Sequence, residues 1–254
     1  MIDSHAGGLD APAWVERWDR QQSRYVPNRD STIRLMFDLV DDLEATPGQL
    51  VDLGCGPGTL LNRARQRWPH AQLAGIDLDP VLLRLARSTL GGTAQLIESD
   101  LRRANDVDLA PASVDTVVSM TALHWLSEED LPQLSQWLAA VVRRGGVFVD
   151  YDTMELAPTV PRLKQAAHAL RARLRDDALD EPDSESWDQW WNALRLEPAL
   201  AAEFAERTRR FAFRQTANAG LSLESLRTAL LEAGFAEVAP LSQVADRHLL
   251  VAVR

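Results

Sequence analysis

Gly54, Gly56 and Gly58 stand at alternate positions directly after Val51-Asp52-Leu53, with Cys55 and Pro57 between them. Glycine there permits a left-handed turn and lets a ligand lie against bare backbone that a Cβ would block. The helix-compatible run 59–68 behind the turn offers unpaired N–H groups at its start. A dinucleotide pyrophosphate wants G-x-G-x-x-G, but Thr59 and Leu60 stand where the last glycine is needed. A phosphate loop is excluded as well, since no G-K-S/T follows. Downstream lie two strand-end carboxylates, Asp77 and Asp100, and His124 within Thr121-Ala122-Leu123-His124-Trp125-Leu126. Taken singly, the acids read as ordinary strand-end or capping groups. The histidine reads either as a proton acceptor or as a ring that donates to backbone or lines a pocket.

The elements that must position these groups follow from periodicity and punctuation. Helices are predicted over 13–25, ending at Pro27, and over 31–43, with Pro47-Gly48 turning into a strand at 50–53. A helix at 58–68 leads to a strand at 72–77. Pro80 opens a helix closed by Gly91-Gly92, with Asp79 fully explained as its cap. Strands follow at 94–97 and 114–119, with a short helical turn between them at 106–109. A helix from Ser127 to about residue 142 is ended by Gly145-Gly146, and a fifth strand runs over 147–151. Such alternation indicates a mainly parallel sheet covered on both faces. Residues 154–210 break the rhythm with helical pattern, and the acidic run 176–185 reads as an exposed loop. A short extended piece is expected at 211–213, a helix at 222–233, and antiparallel strands at 235–241 and 248–253. Gly54 to Gly58, Asp77, Asp100 and the 119–124 stretch then converge on the C-terminal edge of the sheet, where such folds bind ligands.

Composition narrows the partners. The chain has 254 residues, 46% of them apolar, with no run long enough for a membrane span and no basic, apolar leader at its start. A cytoplasmic address is the default expectation. The net charge of −10, from 37 acidic against 27 basic residues, disfavours a nucleic-acid partner. Two basic stripes, Arg171, Arg173 and Arg175, and Arg207, Arg209 and Arg210, read as solvated helix faces. Cys55 is the single cysteine, so it reads as a small buried filler, and no cysteine-based metal cluster is expected. Eight tryptophans outnumber two tyrosines. Trp14 and Trp18 share a helix face, while Trp187, Trp190 and Trp191 form a second cluster. Such clusters either wall an acceptor pocket or, more often, glue a helical lid to its neighbour.

Val51-Asp52-Leu53-Gly54-Cys55-Gly56-Pro57-Gly58 resembles the first motif of the class I S-adenosylmethionine-dependent methyltransferases. Gly75-Ile76-Asp77-Leu78-Asp79-Pro80, Glu98-Ser99-Asp100-Leu101 and Asp115-Thr116-Val117-Val118-Ser119 resemble the three that follow. The similarity covers roughly residues 50–151 and the terminal helix and strand pair. It implies a Rossmann-like α/β fold: a seven-stranded, mostly parallel sheet whose last strand is antiparallel, with helices on both faces and a helical cover. It also implies S-adenosylmethionine as cofactor. Gly54, Gly56 and Gly58 would face its methionine part, with Asp52 tying the loop or the amino group. Asp77 would accept from both ribose hydroxyls, a task suited to a group with only acceptors. Asp100 would accept from the adenine amino group, and Leu78 and Leu101 would sandwich the ring. Backbone near Ser119 and Met120 would approach the methionine, and Tyr25 would cover that end.

The layout is similar to the trans-aconitate methyltransferase-like small-molecule branch. That implies an N-terminal helical cover at 1–46, a core at 47–153 and 211–254, and a helical insertion at 154–210 acting as substrate lid. The candidate base is His124. Candidate acceptor contacts are Arg29, Trp125, Tyr151, Trp187 and Trp191, with Arg29 otherwise paired to Asp30 or Asp38. The expected partner is a small molecule, bound by a monomer or homodimer with no nucleic acid, membrane or metal involved. Protein methylation and a non-catalytic binding module are the alternatives.

Overall fold

The computed structural model describes residues 8–26, 28–44, 46–177, 185–212 and 221–254. Seven strands form one sheet in the order β3-β2-β1-β4-β5-β7-β6. These are β1 (Gln49–Leu53), β2 (Gln72–Asp77), β3 (Gln95–Glu98), β4 (Val114–Met120), β5 (Val142–Thr153), β6 (Glu237–Val244) and β7 (Arg247–Val253). The first five are parallel, and β7 lies antiparallel between β5 and β6. The expected Rossmann-like sheet is therefore present. Strand order reverses at β1, where β2 and β4 flank it, and that reversal opens a crevice at the strand ends.

Both faces are covered, as the apolar strand composition demands. α5 (Leu131–Val141) and α9 (Leu223–Glu232) bury Leu134, Leu138, Leu226 and Leu230 against one face. On the other, α2 (Arg29–Glu44), α3 (Thr59–Arg67) and α4 (Pro80–Leu90) bury Met36, Leu61 and Leu83. A third cluster joins α1 (Ala11–Ser23), the outer side of α4, α7 (Trp187–Leu194) and α8 (Ala201–Phe211) around Trp14, Trp18, Trp190 and Trp191. Trp18 and Trp190 rings lie 4.8 Å apart and Trp190 is fully buried. The tryptophans thus glue the insertion to the first helix. α6 (Pro161–Asp177) lies apart from that cluster.

Several boundaries differ from the sequence expectation for physical reasons. Gly145 and Gly146 do not end a helix, because β5 already begins at Val142 and the glycines sit in its irregular first half. Gly145 has φ 77°, and a Cβ on Gly146 would come within 2.7 Å of the Asp115 carbonyl. The helical turn expected at 106–109 comes earlier, at Leu101–Asp106, because the Asp100 side chain accepts from Arg102 N–H and starts it. Phe211 closes α8 rather than opening an extended piece, and Phe213, Pro27 and most of the 176–185 run lie outside the described residues.

Candidate active site

The glycine turn follows β1, and all three of its glycines have positive φ, at 67°, 53° and 86°. Their surroundings separate their duties. A Cβ on Gly54 would collide with the Ala122 methyl, and one on Gly58 would lie 2.7 Å from Leu90. Those two are required by packing. Only Gly56 faces room, with Leu82 and Trp18 no nearer than 3.9 Å to where its Cβ would stand. Cys55 is buried against Gly75 of β2, the filler role expected for it, and burial pushes its thiol up. The turn after β4 carries Thr121 at φ 55°, held by its N–H to the Tyr151 carbonyl at 2.9 Å. Gly54 thereby makes space for the segment that bears His124.

Two carboxylates meet at this turn. Asp77, at the end of β2, accepts from Gly56 N–H and Asp79 N–H, both at 2.8 Å. Burial outweighs those bonds and pushes its carboxyl up to about 6. Asp52 of β1 is 2% exposed, and its Oδ1 has no hydrogen-bond partner among the described residues. Burial first, then the charge of Asp77, raises it well above the usual carboxylate range, against the opposing pull of Arg29. Asp100 starts the next turn and is forked by Arg102, at 2.7 Å from Nη2. A cavity of about 360 Å³ opens beside it, lined by Leu78, Ile97, Asp100, Arg102 and Arg210. Leu101 is half-buried nearby and packs against the α5 and α9 core.

At the other end of the edge stands a pair that the sequence reading only half identified. His124 Nδ1 lies 2.7 Å from Asp152 Oδ1, and His124 N–H donates to Asp152 Oδ2 at 3.0 Å. Asp152, on β5, is fully buried and stands opposite His248 of β7 in register. Burial alone would lower the imidazole, but the Asp152 charge and hydrogen bond carry the net shift upward. Asp150, two residues earlier on the same face, stands opposite Ser119 in register and is fully buried. Asp-Tyr-Asp inside an apolar strand was the signal available for this pair. Trp125 is 51% exposed, its ring 5.1 Å from that of His124. Tyr151 points to the opposite face of β5, where it is buried with the α2 cluster and burial raises its phenol.

The remaining expected residues are engaged elsewhere. Arg29 pairs with Asp19 of α1, not Asp30 or Asp38; Arg63 bridges Asp19 and Asp30, and Asp38 is bound to Arg67. The Tyr25 hydroxyl accepts from Trp187 N–H at 3.3 Å, tying α1 to the start of α7. Trp187 and Trp191 belong to the tryptophan cluster, with the Arg207 guanidinium 4.0 Å over the Trp191 ring. The basic stripes are not merely solvated. Arg207 binds Asp79, so that residue is more than a helix cap, and Arg210 donates to the Leu78 carbonyl and binds Glu98. Arg171 of α6 binds Asp246 in the β6–β7 turn and bears electrostatically on His124. The insertion therefore divides, with α8 at the Asp77 and Asp100 end and α6 at the His124 end.

Residues 50–146 match the family model described as a methyltransferase domain. A trans-aconitate 2-methyltransferase from Streptomyces avermitilis is 30% identical over 182 residues, covering 67% of this chain and 66% of that protein. Further trans-aconitate 2-methyltransferases, from Streptomyces coelicolor and Escherichia coli, are matched over 59% and 44% of their lengths. Among solved structures, a protein from Pyrococcus horikoshii superposes with TM-score 0.57 at 16% identity, covering 89% of this chain and 91% of that one. Human N-acetylserotonin methyltransferase in complex with S-adenosylmethionine gives 0.52 at 16%, covering 98% and 59%. Sheet order, glycine turn and these likenesses agree: the chain has the class I S-adenosylmethionine-dependent methyltransferase fold, and residues 50–146 of it are similar to a methyltransferase domain.

Proposed function

We propose that this protein is a cytoplasmic enzyme, monomeric or homodimeric, that methylates a small-molecule acceptor from S-adenosylmethionine and releases S-adenosylhomocysteine. One observation carries the reading: among the described residues the buried Oδ1 of Asp52 has no partner, and it feels the charge of Asp77, whose carboxylate binds the N–H of Gly56, the glycine of the turn with open space. An unsatisfied buried carboxylate oxygen calls for a donor, and an amino group seated on the turn would supply it. When bound, the cofactor supplies an activated methyl group. Asp77 keeps further lone pairs for a vicinal diol, and Asp100 with Leu78 would hold the ring at the cavity.

On the acceptor side, Asp152 fixes the imidazole so that Nε2 is free to take a proton. That suits an acceptor whose nucleophile arrives protonated. The trans-aconitate relatives favour a second reading, a carboxylate acceptor, toward which the same ring in its protonated form would be a cation. Calorimetry with S-adenosylhomocysteine tests the central claim. Binding is expected, and Asp77→Ala should weaken it by about ten- to a hundredfold. No binding at about 1 mM, or affinity indifferent to Asp77→Ala, sinks the proposal.

A further inference from the structure

Oδ1 of Asp52 lacks a donor among the described residues, whereas the end of α1 holds the reverse: buried donors without an acceptor there. Arg24 is 4% exposed, and its Nε and Nη1 have no hydrogen-bond partner among the described residues. Gln21, one turn earlier, is 1% exposed with its Nε2 likewise unpartnered, while its Oε1 accepts from Gln22. Positions three apart lie on neighbouring parts of one helix face. Burying a cation without a counter-charge is costly, and the chain avoids it nearby. Arg17, Arg29 and Arg63 all pair with carboxylates.

The location adds direction. Just past Arg24, the Tyr25 carbonyl accepts from Arg247 of β7, which stands opposite Thr153 at the end of β5. A few residues on, Arg29 is close enough to Asp52 at the end of β1 to pull its carboxyl down. β4 lies between β1 and β5, and its end leads to His124. The joint between α1 and α2 thus spans the strand ends where the proposed function puts methyl transfer. A guanidinium and a primary amide offer only N–H groups on these nitrogens, and a carboxylate offers only acceptors.

We propose that Gln21 and Arg24 form a carboxylate-binding site for a ligand seated at these strand ends. The inference rests on the methyltransferase reading. The carboxylate has two candidate sources, the amino-acid end of the cofactor and the acceptor. Because the unpartnered nitrogens are sealed from solvent, the joint must shift for the ligand to reach them.

The test is calorimetry on the full chain and on Arg24→Met, which keeps an apolar stem and removes the charge. The titrants are S-adenosylhomocysteine, then 5′-methylthioadenosine, which lacks the amino-acid end, and finally acetate, succinate and trans-aconitate added to the S-adenosylhomocysteine complex. Loss of at least about tenfold for S-adenosylhomocysteine, with methylthioadenosine unchanged, assigns the site to the cofactor's carboxylate. Unchanged S-adenosylhomocysteine with a similar loss for one of the acids assigns it to the acceptor. Thermal melting of the unliganded proteins checks folding, and Arg24→Met should melt no lower than the parent because the unpaired charge is gone. Equal affinity of both proteins for every titrant up to about 10 mM overturns the proposal. Should the parent bind neither adenosyl compound, the methyltransferase reading falls instead, and the acid titrations on the unliganded proteins decide this site.

Discussion

On the proposed reading, Asp77 makes cofactor affinity depend on pH in a way that can be worked from its surroundings. Two backbone N–H groups stabilise its ionised form, yet burial prevails and places the carboxyl near 6. Donation from ribose hydroxyls would favour the carboxylate further, so the ligand binds the ionised form. At pH 7.5 almost every molecule is ionised, whereas at pH 5 roughly one in eleven is, because one unit below the midpoint is a tenfold change. Affinity for S-adenosylhomocysteine should therefore fall about tenfold from this group alone, and Asp52, also raised, acts in the same direction. Stability of the unliganded protein carries the opposite sign. A carboxyl raised on folding binds its proton more tightly in the native state, so its contribution diminishes as pH climbs from the ordinary value near 3.8 through about 6. Calorimetry from pH 5 to 7.5 on the parent and Asp77→Asn reads the effect. The variant should bind more weakly at pH 7.5 and lose much less on acidification. A flat parent profile, or an undiminished fall in Asp77→Asn, refutes the reasoning.

Two further outcomes follow from packing and burial. Gly54→Ala meets both a left-handed φ and the Ala122 methyl, so it should cost about 1–3 kcal/mol or more in urea unfolding, with Ala122→Gly restoring only part. Equal stability of single and double variants would show that the collision is relieved some other way. Asp150 is fully buried and raised first by desolvation and then by Asp152, so it penalises the fold as pH rises above the ordinary carboxylate range. Asp150→Asn should raise the melting temperature at pH 8 relative to the parent and shrink that gap at pH 4, and an identical gap at both would contradict it.

The core strands, the glycine turn and the strand-end acids are legible because continuous apolar runs, Gly-x-Gly-x-Gly and Asp at strand ends are local signals. The Asp77 and Asp100 placements needed only the register of neighbouring strands. What escaped was set by distant pairing. Nothing local distinguishes Asp19 from Asp30 or Asp38 as the partner of Arg29, since the pairing depends on how α1, α2 and α3 pack together. Asp152 is separated from His124 by a helix and most of a strand. Gly145 and Gly146 carried the chemistry of a helix stop, and only the tight approach of Asp115 reveals their use inside β5. The Arg207 and Arg210 contacts depend on α8 lying against α4, which no periodicity encodes.

That last contact limits modularity. Arg207 and Arg210 reach from the insertion to Asp79, to Glu98 and to the carbonyl of Leu78, the residue next to Asp77. A core trimmed of α8, or given the insertion of another protein, would keep every glycine and acid of the turn. It would nevertheless lose the counter-charge for a buried Asp79 at the head of α4. Exchange of such a cap would here also disturb the strand end proposed to hold the methyl donor.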